Sequence, residues 1–124
     1  MKIFTIEEAN GLLPSVRRIV ARIQTAHRTI SKYRKEAQKA AEAADRGGGI
    51  PDGPAYARHL FSLTAASTEL EALGVQLKDF DRGLVDFPSL REGRVVLLCW
   101  QLGEGDELEW WHDVDAGFAG RTRL

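Results

Sequence analysis

The fold is decided by residues 14–45, which read PSVRRIVARIQTAHRTISKYRKEAQKAAEAAD. The apolar residues of this stretch recur in alternating steps of three and four, which places them on one face of an α-helix. A helix over 14–45 is about 48 Å long, so in a small protein a second helix must lie along it. The apolar face consists of Val16, Ile19, Ile23, Ala26, Ile30, Tyr33, Ala37, Ala40 and Ala44.

The next segment supplies that second helix. The glycine-rich residues 46–53 predict a turn, and Pro54 can open a helix over residues 55–73 that ends at Gly74. The two helices then form a long antiparallel, coiled-coil-like hairpin. The second helix is only about 28 Å long, so it does not reach the N-terminal part of the first helix, called here its base. We expect the C-terminal part of the chain to pack against this base. Small alanines at the far end of the first helix would let Leu60, Phe61 and Leu63 pack closely.

The N-terminal residues predict a separate short helix. Thr5 and Glu8 have the spacing of a capping box, in which each side chain accepts a hydrogen bond from the backbone of the other. Pro14 disfavours a helix interior and Gly11 offers a stop before it. We therefore expect one helix over residues 6–10 and a second that begins at Pro14.

After Gly74 the periodicity changes to that of β-strands. One short strand is expected to end at Pro88, and the apolar run 94–102 suits a central strand. The fold class is therefore α+β, a single domain over 1–124 with a helical hairpin at 1–74 and a small antiparallel sheet lobe at 75–124. The expected strands are 75–80, 84–87, 94–102 and 108–112.

The last two strands contain three tryptophans whose positions depend on the strand register. A five-residue loop between the strands places Trp100 opposite Trp110 and Leu98 opposite His112. A shift by one residue would place Trp111 there instead, and the sequence alone leaves both registers open.

The overall charge of the protein hides two oppositely charged regions. The 124 residues carry 17 Lys and Arg against 18 Asp and Glu. Nine basic and three acidic residues lie in 17–46, whereas 69–115 holds twelve acidic and four basic ones. Nucleic-acid binding is disfavoured because the basic residues are dispersed and no aromatic residues alternate with them for base stacking.

Sequence features that are absent indicate where the protein is expected to reside and the state of its cysteine. The longest apolar run, Val95–Trp100, is too short to span a membrane. Residues 1–8 have neither the pattern of a signal peptide nor that of a transit peptide, so we expect a cytoplasmic protein. Cys99 is the single cysteine, which excludes an internal disulfide and a multi-cysteine zinc site. Its place in an apolar strand favours a buried, unreactive thiol.

A set of ordered motifs runs along the whole chain. The motifs are Phe4-Thr5-Ile6-Glu7-Glu8-Ala9-Asn10, Leu12-Leu13-Pro14, Gly83-Leu84-Val85-Asp86-Phe87-Pro88, Leu98-Cys99-Trp100-Gln101-Leu102-Gly103-Glu104, Trp111-His112 and Gly117-Phe118-Ala119-Gly120-Arg121. Together they resemble a bacterial family known as domain of unknown function 2203. The resemblance implies a long helical hairpin with a small terminal lobe and brings no established activity.

The candidate chemistry lies in the C-terminal lobe. Asp86, Glu104 and His112 offer two carboxylates and one imidazole, a ligand set for zinc, manganese or iron. No short motif ties the three together, and the alternative is a structural His112 bonded to a backbone carbonyl or a carboxylate.

Aromatic residues and an arginine form a second candidate group. Trp100, Trp110 and Trp111 could line a pocket or an interface, or could simply fill the core. Arg121 ends a glycine-bracketed loop that could bind an anion, although a salt bridge from Arg121 to the acidic lobe is favoured.

Two functions are consistent with these patterns. The first is a non-enzymatic interaction module, expected to be a homodimer because the apolar helix face is longer than its own chain can cover. The second is a divalent-metal or small-ligand site in the lobe, with hydrolysis as the catalytic option.

Overall fold

A computed structural model describes residues 1–43 and 53–124, and the fold is α+β as expected. A five-stranded antiparallel sheet with the strand order β1-β2-β3-β4-β5 follows two helices. The elements are α1 (Ile6–Ala43), α2 (Gly53–Ala72), β1 (Gln76–Asp79), β2 (Leu84–Arg91), β3 (Arg94–Gln101), β4 (Trp110–Asp113), a 3₁₀ turn (Phe118–Gly120) and β5 (Thr122–Arg123).

The two helices run antiparallel, as predicted. Tyr33 of α1 stacks on Tyr56 of α2 with ring centroids 4.7 Å apart, and nearer the base Arg22 pairs with Glu69 at 3.1 Å. The helix α2 ends at Ala72, and the turn that follows it contains Gly74, whose φ of 87° suits a glycine. Residues 46–52 of the predicted turn and Ala44 lie outside the described residues, whereas Gly53, also predicted in the turn, is the first residue of α2.

The predicted break at Pro14 is wrong, because α1 continues through it from Ile6. The capping box is present: Thr5 and Glu8 exchange two hydrogen bonds of 3.0 Å. Pro14 itself is exposed, while Leu13 and Val16 beside it are fully buried. We infer that burial of these apolar neighbours outweighs the missing backbone hydrogen bond.

The second strand also continues through a proline, contrary to the prediction that it ends at Pro88. Strand β1 pairs with β2 only as far as Asp86, so beyond that residue β2 is bonded on one side. The N-terminal segment lies along the edge of β2 that β1 leaves unpaired. Phe4 donates its N–H to the Pro88 carbonyl at 2.7 Å, and the Ser89 hydroxyl donates to the Phe4 carbonyl at 2.6 Å. Proline has no backbone N–H to donate, so a strand tolerates it where the hydrogen bonding to a neighbouring strand is incomplete.

One apolar core joins the base of the hairpin to the sheet. The sheet covers the basal stripe of α1, as expected from the short second helix. The core includes Val16, Ile19, Val20 and Ile23 of α1, Leu70 of α2, and Val85, Phe87, Leu98 and Trp100 of the sheet.

The register of β3 and β4 matches neither expectation: it differs by one residue from the first, in the direction opposite to the alternative that placed Trp111 across from Trp100. Trp110 lies opposite Cys99, Trp111 opposite Leu98 and His112 opposite Leu97. The cause is Leu108, which is buried in the core and donates its N–H to the Asn10 side chain at 2.7 Å. Leu108 therefore belongs to the loop, and β4 begins later than the alternation alone suggested.

The oppositely charged regions meet within one chain. Arg17 of α1 pairs with Asp106 at 3.0 Å, and Arg28 pairs with Asp81 at 2.8 Å. The basic side of the helix thus contacts acidic loops of its own sheet lobe. Of the helices in the described ranges, none combines the length and apolar character needed to cross a membrane.

Candidate metal centre

The sheet places alternate side chains of β2 and β3 on opposite faces. Phe87 and Leu98 point toward the helices and belong to the core. Asp86 and Cys99 are direct partners across the two strands and point to the other face, called here the outer face. No helix in the described residues packs on the outer face. The segment 114–121 after β4 covers it instead, and Phe118 of that segment lies beside Asp86.

Three buried side chains converge on the outer face. Asp86, Cys99 and His112 each place one potential ligand atom within 4.8 Å of the other two. Their exposed fractions are 2%, 1% and 3%. They form the single group of this kind found among residues 1–43 and 53–124. The arrangement brings one carboxylate, one thiol and one imidazole together out of bulk water.

The hydrogen bonds of His112 fix the proton on its ring. Nδ1 lies 2.8 Å from the backbone carbonyl oxygen of Asp113, and since a carbonyl can only accept, Nδ1 carries the hydrogen and donates it. Nε2 then faces Oδ1 of Asp86 at 3.1 Å. Either a hydrogen on Nε2 or a metal ion bound to both atoms would satisfy this contact between Nε2 and the Asp86 carboxylate.

Cys99 is not an activated nucleophile. Burial raises the pKa of its thiol to about 12, and the nearby carboxylate of Asp86 acts in the same direction. Arg121 acts in the opposite sense but with a smaller effect. Reactive cysteines need a lowered pKa and solvent access, which this site does not provide. A coordinated metal ion, by contrast, deprotonates its thiol ligand.

The family model described as an uncharacterized conserved protein, DUF2203, matches residues 2–124. The chain belongs to the DUF2203 family. Comparison with curated proteins and with solved structures found no match. The family resemblance carried by the sequence motifs is therefore confirmed, and it assigns no activity to this DUF2203 protein.

Glu104, expected from the sequence as a third ligand, lies apart from the centre. Its carboxylate accepts hydrogen bonds from Arg121 Nη2 at 2.7 and 2.9 Å and from the Gln101 backbone at 2.6 Å. Asp86 and His112 are brought together as expected, and Cys99 takes the position assigned to Glu104. The favoured salt bridge from Arg121 to the acidic lobe is present.

The three tryptophans occupy different environments. Trp100 is fully buried in the core, and its Nε1 donates to the Gly105 carbonyl at 3.1 Å. Trp110 is half-buried on the outer face beneath the Arg121 guanidinium, whose carbon lies 5.0 Å from the ring centroid. Trp111 faces the core side, opposite Leu98. Trp100 is therefore a core residue, and only Trp110 lies on the face that carries the candidate centre.

Cys99 was missed because its sequence context is that of a core residue. It lies inside an apolar run, so hydrophobicity assigns it to the interior. The informative signal was the register of β3 and β4, because side chains alternate between the two faces of a sheet. A register that pairs His112 with Leu97 puts His112 and Cys99 on the same face. The first expected register, with His112 opposite Leu98, would have turned His112 toward the helices.

Proposed function

We propose that this DUF2203 protein binds one divalent metal ion, preferentially zinc, through Asp86, Cys99 and His112. The observation that carries the proposal is the convergence of three buried ligand atoms of different chemistry within 4.8 Å. Zinc accepts this mixture of sulfur, nitrogen and oxygen ligands. The thiol disfavours manganese, which prefers oxygen ligands, and leaves iron as the second choice.

The hydrogen bond from His112 to Asp113 supports a ligand role. Histidines that bind metal commonly donate their other ring N–H to a carbonyl or carboxylate, which orients the ring. Nδ1 of His112 makes this bond at 2.8 Å, and Nε2 points at Asp86. In the structural alternative, a proton occupies the position between Nε2 and the carboxylate. The metal-binding and structural alternatives differ in whether a metal ion or a proton lies between Nε2 and the carboxylate. A measurement of metal binding therefore distinguishes them.

The test is a zinc titration of metal-free protein by calorimetry, with elemental analysis of the purified complex. We expect equimolar zinc for the wild type. Cys99→Ser and Asp86→Asn, which preserve size, should each weaken binding by at least about tenfold. Glu104→Gln is the matched control, because Glu104 belongs to the sequence-derived set but lies outside the convergent group, and it should bind zinc like the wild type.

Cobalt substitution gives an independent readout. A cobalt–thiolate bond produces a charge-transfer band in the near ultraviolet, which Cys99→Ser should abolish and Glu104→Gln should leave intact. Wild-type protein that binds neither zinc nor cobalt, while its circular dichroism remains that of the folded state, would contradict the proposal.

A second candidate function is protein interaction by homodimerisation through the outer part of the hairpin. Beyond Ile30, the described part of α1 contains no fully buried residue. Phe61 of α2, expected to pack on the alanines of α1, is instead 76% exposed. An exposed aromatic residue of this size on a helix is a common interface feature. A second copy of the chain could cover both surfaces.

Light scattering tests the homodimer. We expect the dimer mass for the wild type at micromolar concentration and the monomer mass for Phe61→Glu. Leu90→Glu is the control, because Leu90 is also exposed but lies on the sheet, far along the chain from the hairpin. A wild-type monomer that keeps its helical signal at this concentration contradicts dimerisation.

A further inference from the structure

A small cleft opens directly onto the proposed metal centre. It has a volume of about 150 Å³. Asp86 and His112 both line it, and Cys99 does not, so the cleft borders the centre on the side of the carboxylate and the imidazole. The remaining lining residues are Lys78, Leu84, Leu97, Val114, Gly117 and Phe118.

The number of protein ligands leaves room for an exogenous one. Zinc sites with four protein ligands are closed and structural, whereas sites with three keep a fourth position for water or substrate. Asp86, Cys99 and His112 make up the whole convergent group in the described residues. An incoming ligand would reach the fourth position through the cleft.

The volume of the cleft limits the size of that ligand. A cavity of about 150 Å³ holds a molecule the size of benzene. Pockets for nucleotides and other large ligands are several times larger, about 300–1,000 Å³. The cleft is therefore suited to a short ligand that fits beside the metal.

The lining residues indicate the chemistry of the ligand. Leu84, Leu97 and Val114 offer apolar surface, and Lys78 is the one cation in the lining. No ion pair is formed by Lys78 within residues 1–43 and 53–124. Behind the cleft wall, the guanidinium carbons of Arg82 and Arg121 lie 4.2 and 4.6 Å from the Phe118 ring centroid, and the charge of Arg121 is balanced by its salt bridge to Glu104. The surroundings of the cleft therefore favour a ligand with an anionic head group and a short apolar tail.

We propose that the fourth coordination position binds a short-chain monocarboxylate, and this inference rests on the proposed metal site. One carboxylate oxygen binds the metal and the Lys78 ammonium stabilises the negative charge. The alkyl chain contacts the leucines and Val114. A phosphate group fits less well, because most of the lining offers no hydrogen-bond donors to its several oxygens.

The experiment uses butyrate, which has as many non-hydrogen atoms as benzene, and cobalt-loaded protein. Butyrate should change the visible cobalt spectrum in a saturable way, whereas n-butanol, which lacks the charge, should not. Lys78→Gln should weaken butyrate binding by about tenfold and leave cobalt affinity unchanged. Val114→Trp should prevent butyrate binding, because the larger side chain would fill the cleft. Leu90→Trp serves as the matched control, because Leu90 is also exposed.

The outcomes separate this inference from the proposed function. If cobalt and zinc bind but butyrate leaves the spectrum unchanged, the carboxylate inference is overturned and the metal site stands. If no metal binds, both are overturned. If calorimetry shows that butyrate binds metal-free protein as tightly as the loaded protein, the ligand does not use the coordination position and the inference is overturned.

Discussion

The two faces of the sheet are buried to a similar degree but by different means. On the inner face, Phe87 and Trp100 are at most 1% exposed because two helices pack on them. On the outer face, Asp86 and His112 are almost as buried, although they lie beside the segment after β4 rather than beneath the two long helices. Burial on the inner face creates an apolar core, whereas burial on the outer face gathers polar groups. The difference separates an inner face that stabilises the fold from an outer face that holds the proposed metal centre.

The largest expected effect is on the inner face. Trp100→Ala should lower the free energy of unfolding by about 3–5 kcal/mol, because it removes a fully buried indole and leaves a cavity. Trp110→Ala, on the outer face, should cost only about 1–2 kcal/mol, since Trp110 is half-buried. Urea denaturation of both variants measures the difference. Equal losses would contradict the assignment of stability to the inner face.

Metal should stabilise the protein through the outer face. At a zinc concentration of 100 times Kd, the free energy of unfolding should rise by about 2.7 kcal/mol, since zinc binds the folded state. Cys99→Ser should show almost no rise at the same concentration, whereas Trp110→Ala should respond like the wild type. Thermal unfolding with and without zinc makes the measurement. A rise of the same size in Cys99→Ser would mean that zinc binds elsewhere.

The salt bridge between Glu104 and Arg121 should contribute less. Glu104→Gln removes the negative charge of a partly buried pair and should cost about 1 kcal/mol of the free energy of unfolding. Zinc affinity should stay unchanged, which separates structural support from ligand binding on the same face. Denaturation and calorimetry on one preparation give both values. A parallel loss of zinc affinity would show that Glu104 takes part in the site.

The smallest effect is expected at the exposed contact between α1 and the sheet lobe. The hydrogen bond and charge of Arg28 lower the pKa of Asp81 below its ordinary value. A lowered carboxyl pKa stabilises the folded state above the unfolded-state pKa, and the contribution is lost as the pH falls through the folded-state pKa. Arg28→Ala should therefore raise the pKa of Asp81 in an NMR titration. An unchanged value would contradict this contact.

Sequence periodicity was sufficient for the helices and the core but not for the polar site. The apolar spacing from Val16 to Ile30 fixed the helix and its buried face, and all of these residues are buried. The interruption at Pro14 was wrong because the local preference of proline is weaker than the burial of Leu13 and Val16. Periodicity describes the face that packs against other elements, so it performs best where burial is apolar.

The site depended on a long-range contact that local patterns do not contain. Leu108 is held by Asn10, which is distant in sequence, and we infer that this contact sets the observed register of β4, which differs by one residue from the first expectation. The shift moves His112 to the face of Cys99. Asp86 and His112 could be proposed from residue type alone, whereas Cys99 required the register.

The contact between Phe4 and Ser89 has a consequence for how the chain folds during its synthesis. These residues are 85 positions apart, so Phe4 cannot reach its partner until β2 has left the ribosome. The contacts between α1 and α2 are closer in sequence and can form earlier, since local contacts form faster than distant ones. Until β2 emerges, the aromatic ring of Phe4 and the base of α1 in a nascent chain therefore lack the strands that cover them in the folded protein.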